Sequence, residues 1–263
     1  MTSKLASLFS WNFPHFRSFA ECQRWTISQQ LNAGIRFFDI RCRHYNNVCA
    51  IHHGPIFFNA FLDNIIIEVD DFLTRNPSEV ALLMISNGEH EETGNTRSFA
   101  DTVKASGMTS KWWQHSHNPT LGEVRGKYIL VKRTSALSNL EGLNAGTFVE
   151  YNEWNLNDIK EKNRKMQDHI RKARRNTNDG KFYIGYTSIA ARMTNGSTLH
   201  YASRCNTWLL QWLTRNPKML SGKYGIVMMD WPGPGLIKRL YEHNFYSIMQ
   251  IISEFIISCE LKP

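Results

Sequence analysis

Residues 34–41, GIRFFDIR, decide the fold, together with VCAIHH at residues 48–53. Each run is short, rich in β-branched and aromatic residues, and bounded by glycine or asparagine, the pattern of a strand. Period-two alternation puts Asp39 and Arg41 on one face of the first strand, with Ile40 opposite. By the same alternation His53 shares a face with Ile51, and His52 points the other way. A charge inside a strand is costly to bury unless something pairs or uses it, so these residues mark a place to look for chemistry.

Five further strands follow: 80–86 (VALLMIS), 127–133 (KYILVKR), 147–151, 181–188 (KFYIGYTS) and 225–230 (GIVMMD). Helical stretches separate them, over about 59–75, 97–105, 156–175 and 206–215, with a last one starting near Leu236. Asn76-Pro77 stops the first of these. Strands that alternate with helices and are apolar on both faces predict parallel βα units. Seven strands are one short of a (β/α)₈ barrel, and Met1 to Glu21 offers no strand. The expected fold is α/β, a distorted TIM barrel missing its first strand, as a single domain over residues 1–263.

Hydrophobic residues make up 42% of the 263 and charged residues 21%, which supports a sizeable core and argues against wholesale disorder. The net charge of +8 favours an anionic partner: nucleic acid, an acidic membrane surface or a phosphate ester. No nucleic-acid motif accompanies that charge. The five cysteines, Cys22, Cys42, Cys49, Cys205 and Cys259, are odd in number and lack CxxC spacing, against a disulfide framework or a zinc site. No charged-then-apolar leader opens the chain, which favours the cytoplasm or the membrane periphery. No apolar run approaches the roughly 18–20 residues of a membrane span. The tail from Ile248 to Ser258 reads as a helix packed on the core.

Polar residues gather where strands end: Asp39 and Arg41, His52 and His53, Arg133, Tyr151 and Asp230. In a barrel such ends converge on one mouth. Each has a plain structural explanation as an ion pair, a core histidine or a solvated arginine; their coincidence at successive strands favours a site. The set suits a phosphate ester. Arg41 can grip non-bridging oxygens with its forked guanidinium, His53 can protonate a leaving alkoxide, and a carboxylate can orient a histidine. A hard cation wants several oxygen ligands. The first strand offers only Asp39, with Arg41 placed to do a cation's work, so no metal and no cofactor is expected.

The blocks QQLNAGIRFFDIRCR, AIHHGP, FLTRNPSEVALLMIS, LGEVRGKYILVKR, FYIGYTS and GIVMMDWPGPGLI resemble, in order and over about Cys22 to Asn244, the catalytic X domain of bacterial, metal-independent phosphatidylinositol-specific phospholipase C. The resemblance implies a distorted TIM barrel that cleaves phosphatidylinositol to diacylglycerol and a cyclic inositol phosphate. It implies that Arg41 contacts the phosphate, Asp39 positions the reacting groups and His53 is the general acid. Asp230 would pair with the general-base histidine, and Arg133 and Tyr151 would bind inositol. The implied partner is phosphatidylinositol or a related anionic lipid at a membrane surface.

The family's first strand ends in a Gly-Thr-His-Asp-type motif that this sequence lacks; His15 is the nearest histidine. An upstream segment or a barrel that binds headgroups without turnover would each account for the gap. Lys111-Trp112-Trp113 is a candidate interfacial surface. The basic run of Lys160, Lys162, Arg164, Lys165, Arg171, Lys172, Arg174 and Arg175 reads as a solvated helix face.

Overall fold

The structure, a computed structural model, describes residues 20–54, 56–88, 94–176, 178–190, 196–216, 219 and 222–245. His15, Cys259 and the tail from Ile248 to Ser258 lie outside the described residues. The chain divides after Phe148 into two compact units.

The first unit holds a six-stranded sheet in the order β3-β2-β1-β4-β5-β6. The strands are β1 (Phe37–Tyr45), β2 (Val48–His53), β3 (Ile56–Phe61), β4 (Val80–Asn87), β5 (Lys127–Lys132) and β6 (Leu143–Asn144). β1, β4, β5 and β6 run parallel, whereas β1, β2 and β3 form an antiparallel meander. The expectation of parallel units throughout is therefore corrected at β2. The physical reason is the Asn46-Asn47 turn, with φ of 47° and 62°. Asparagine tolerates these left-handed values, and two in succession make a tight hairpin. The Asn47 side chain accepts hydrogen bonds from the Thr96 and Arg97 amides, both at 2.9 Å.

Among the described residues this unit has four α-helices: α1 (Ile27–Asn32), α2 (Leu62–Arg75), α3 (Phe99–Ala105) and α4 (Leu121–Val124). In α1 the Thr26 hydroxyl accepts from the Gln29 amide and the Gln29 side chain accepts from the Thr26 amide, a reciprocal cap. α2 buries Leu62, Ile65, Ile66, Val69, Phe72 and Leu73, one stripe at helical spacing. That stripe packs on one face of the sheet, formed by Phe38, Ile40, Cys42, Leu83, Ile85 and Leu130. Each fully buried aliphatic side chain there contributes about 1.5–3 kcal/mol. The other face of the same strands carries Asp39 and Arg41.

The second unit is a parallel sheet in the order β7-β8-β9, made of β7 (Val149–Tyr151), β8 (Tyr183–Tyr186) and β9 (Ile226–Met228). Helices α5 (Ile159–Arg175), α6 (Thr198–Arg215) and α7 (Pro234–Glu242) accompany it around Met166, Ile170, Leu209, Leu213 and Leu236. β9 starts just after Gly225, whose φ is 74°; a Cβ there would lie 2.7 Å from the Tyr183 carbonyl oxygen. Only glycine fits that close approach.

Seven strands run parallel within their sheets, four in the first unit and three in the second. The sequence reading also counted seven, but it included β2 and missed the two-residue β6. Among the described residues no strand precedes β1. Among them, too, no helix is long and apolar enough to cross a membrane.

Candidate functional site

In the first unit, register places the charged residues. Arg41 on β1 lies opposite Ser86 on β4, and Ile85 lies opposite Lys132 on β5. Directly opposed residues share a face of the sheet, so Arg41 and Ser86 lie together on the face away from α2. Arg133 follows the last residue of β5, and its amide donates to the Ile85 carbonyl at 3.1 Å. Asp39 lies one step back on the same face, opposite Met84. Its carboxylate takes a hydrogen bond from Arg41 Nη2 at 3.3 Å. Both arginines are exposed; Asp39 is largely covered.

β1 continues to Tyr45, so Asp39 and Arg41 sit in mid-strand and do not end it as the sequence suggested. β2 runs antiparallel, so its carboxyl end points opposite to those of β4 and β5. His53 reaches the neighbourhood of Arg41 and Asp39 because the hairpin folds back: Cys42 opposes Ile51, and β2 then runs back alongside the segment holding Asp39. Both side chains act electrostatically on its imidazole.

His53 Nδ1 is 2.8 Å from the Ala20 carbonyl oxygen and 3.6 Å from Cys22 Sγ. A carbonyl only accepts, so Nδ1 carries the proton in that bond and Nε2 is the atom left to exchange one. Burial holds the His53 pKa below its ordinary value; the Ala20 carbonyl raises it, Arg41 lowers it and Asp39 raises it. His52 is different. It is buried with its ring 5.3 Å from that of Phe57, and its pKa falls to about 4, mainly through burial and then through Arg43. His52 is neutral at physiological pH and unsuited to donating a proton. An open cavity of about 590 Å³ is lined by Glu21, Gln23, Arg24, Trp25 and Phe58, next to the Ala20–Cys22 segment that touches His53; neither His53 nor Arg41 lines it.

The second unit holds Tyr151 and Asp230. Tyr151 is the last residue of β7, and Asp230 follows the end of β9 by two residues. The Asp230 backbone is fastened by Asn206 of α6, whose Nδ2 donates to its carbonyl at 2.8 Å and to that of Trp231 at 3.3 Å. Asn206 is itself held by the Thr187 hydroxyl at 3.1 Å. The Tyr151 ring lies 5.0 Å from Lys162 Nζ, and its hydroxyl is buried with no hydrogen-bond partner among the described residues. Burial, then Glu153 and Glu161, pushes the Tyr151 pKa well above the usual phenol range.

Two residues escaped the sequence reading. Ser86 lies opposite Arg41, a position set by register. Lys162 was grouped with the solvated basic run, yet it is fully buried. The signal was present: Lys162 falls with Ile159, Met166 and Ile170 at helical spacing. The rest of the run is partly neutralised, Arg164 by Glu161 and Asp168, Lys165 by Glu153, and Arg171 by Asp168. Trp113 is buried and Trp112 packs against the core, while Lys111 pairs with Asp70 at 3.3 Å. That trio is part of the fold and forms no interfacial surface. Among the described residues no group of three or more His, Cys, Asp or Glu could hold a metal.

The chain is α/β: the first unit carries mid-strand charges and a hairpin histidine on a mixed sheet, and the second carries strand-end residues on a parallel one. Residues 12–134 match the family described as phosphatidylinositol-specific phospholipase C, X domain. The 1-phosphatidylinositol phosphodiesterase of Listeria monocytogenes is 26% identical over 241 residues, covering 87% of this chain and 74% of that protein. The protein of the same name from Staphylococcus aureus strain Newman is 24% identical over 251 residues, covering 82% and 79%. A crystal structure of the S. aureus phosphatidylinositol-specific phospholipase C superposes with a TM-score of 0.76 at 20% identity, covering 88% of each chain. The L. monocytogenes enzyme gives 0.73 at 23%, covering 89% of this chain and 87% of that one. This likeness shows the fold, the distorted TIM (β/α)-barrel type. The chain is similar to phosphatidylinositol-specific phospholipase C: its residues 12–134 match the X-domain family model, and the likeness to the bacterial relatives extends over most of its length.

Proposed function

We propose that the protein is a phosphodiesterase that cleaves phosphatidylinositol between diacylglycerol and phosphate. The observation that carries this reading is the Arg41 guanidinium, opposite Ser86 and bonded to Asp39, with both charges within electrostatic reach of His53. The relatives bearing the name 1-phosphatidylinositol phosphodiesterase support it.

In this reading Arg41 binds the non-bridging oxygens and offsets the charge that builds on them in the transition state. Asp39 fixes the guanidinium. The inositol 2-hydroxyl attacks phosphorus, and His53 Nε2 gives its proton to the departing diacylglycerol oxygen, leaving a cyclic inositol phosphate. An incoming phosphodiester adds negative charge beside His53, which favours the protonated imidazole. Arg133 and Tyr151 bind inositol hydroxyls. The 2-hydroxyl proton goes to a general base with which Asp230 would pair; in the family that base is the histidine of the Gly-Thr-His-Asp-type motif, which this sequence lacks.

The test is release of water-soluble inositol phosphate from radiolabelled phosphatidylinositol in mixed micelles, by the parent protein and by His53→Ala and Arg41→Ala. Turnover that both substitutions abolish supports the assignment. Unchanged turnover in both overturns it. The missing Gly-Thr-His-Asp motif favours a second reading, a headgroup-binding barrel; saturable myo-inositol binding without product is its signature.

A further inference from the structure

The cavity of about 590 Å³ in the first unit is walled by Glu21, Gln23, Arg24, Trp25 and Phe58. Two observations set it against His53. Along the chain, Glu21 and Gln23 flank Cys22, whose Sγ is 3.6 Å from His53 Nδ1. Ala20, whose carbonyl accepts from Nδ1 at 2.8 Å, comes just before them. Across the hairpin, His53 of β2 opposes Ile56 of β3. Opposed residues share a face of the sheet, and alternation returns to that face two residues on. Phe58 therefore stands on the His53 side of β3; Asn59, with its left-handed φ of 53°, comes only after it. The stretch that anchors the imidazole thus runs on into the cavity wall.

The lining is amphipathic. Trp25 and Phe58 supply two aromatic side chains, both partly exposed. Glu21 and Arg24 pair at 3.7 Å, with the Arg24 side chain 74% exposed, so the charge sits toward solvent. Such walls suit a ligand with an apolar body and a polar junction. They suit inositol, which carries hydroxyls all round its ring, poorly.

We propose that this cavity is the leaving-group subsite, in which Trp25 and Phe58 hold the glycerol and first acyl carbons of the diacylglycerol half of the lipid. The inference rests on the reading of His53 as the general acid. The bond from phosphorus to the glycerol oxygen breaks as His53 Nε2 passes its proton to that oxygen, so the glycerol begins within hydrogen-bond reach of the ring. The two nitrogens of an imidazole are closer together than the ends of a glycerol backbone. A chain that starts at Nε2 can therefore pass the ring and reach the wall behind Nδ1. The attacking 2-hydroxyl and the leaving oxygen lie roughly in line through phosphorus, which puts inositol on the other side.

The experiment compares the full chain with Trp25→Ala and Phe58→Ala on three substrates. Dihexanoyl phosphatidylinositol dissolved as monomers tests the subsite without a lipid surface. Long-chain phosphatidylinositol in mixed micelles adds the surface. Inositol 1,2-cyclic phosphate, which water opens, has no diacylglycerol. Each variant should lose about tenfold or more in kcat/KM on the monomeric lipid and stay within about twofold of the parent on the cyclic phosphate. Calorimetric titration with dihexanoylglycerol should show saturable binding to the parent, weakened about tenfold or more in both variants.

Where the parent turns over lipid, the rates decide. Equal losses on the monomeric lipid and the cyclic phosphate overturn the proposal, as does a loss confined to micelles, which would make the two aromatics a membrane contact. Where the parent turns over nothing, the phosphodiesterase reading falls and the titration decides the subsite. Binding that both variants weaken then upholds it; no saturable binding, or binding that neither weakens, overturns it. Should an alanine variant fail to fold, glutamine at the same position, polar and of longer reach, takes its place under the same criteria.

Discussion

Raising the pH across neutrality isolates His53 from the other groups of the first unit. Burial leads the effects that hold its pKa below 6.5, and Arg41 adds to them. A general acid works only in its protonated form, so the sign is fixed. For the free protein kcat/KM should be highest below the folded-state pKa and fall about tenfold per pH unit above it. With a pKa below 6.5, less than about a tenth of the imidazole is protonated one pH unit higher, at 7.5. Asp39→Asn removes a carboxylate that raises the pKa, so the falling limb should move to lower pH. His53→Ala should lose about 10²–10⁴ in rate together with the limb itself. The assay is initial rates on mixed micelles of fixed composition, with circular dichroism to show that folding holds at each pH. A limb that persists in His53→Ala, or one that Asp39→Asn moves to higher pH, refutes the reasoning.

Arg41→Ala should lower kcat by about 10²–10³, and Arg41→Lys should recover only part of the loss, because an ammonium lacks the forked geometry; steady-state rates read both. Arg133→Ala should raise KM more than it lowers kcat if the guanidinium holds the sugar equally in ground and transition states, and a fall in kcat alone would contradict that role. Chelator should leave turnover unchanged, since Arg41 supplies the cation beside Asp39; loss restored by calcium would show the contrary. Ile85→Ala, at a site with no solvent exposure, should cost about 2–5 kcal/mol in urea unfolding.

Much of the architecture was legible because burial on both faces leaves a plain mark. VALLMIS and KYILVK became β4 and β5 within a residue or two of expectation. Alternation in GIRFFDIR put Asp39 and Arg41 on one face, where the structure has them bonded. Local signals that went unread explain part of the remainder. Thr26-x-x-Gln29 is a capping pattern that announces α1. Ser197 caps α6 nine residues before Asn206, where the sequence first suggested a helix. Other features have no local signal. β3 was absorbed into the following helix because Asn59, at φ 53°, interrupts its strand pattern. β6 is two residues long and is defined only by its partner β5. The pairing of Ser86 with Arg41 is set by register between strands, which no single segment encodes. The direction of β2 turned on an asparagine pair whose left-handed backbone reverses the chain.

That hairpin also limits how the molecule can vary. A strand's side chains alternate, so a one-residue slip at Asn46-Asn47 would carry the paired stretch Val48–Ile51 to the other face. The register shift between Ala50 and His52 in the pairing with β3 is where such a slip can be absorbed before the two histidines. Loop length and that irregularity together therefore set which imidazole stands near Arg41, a coupling that libraries randomising the loop could expose directly.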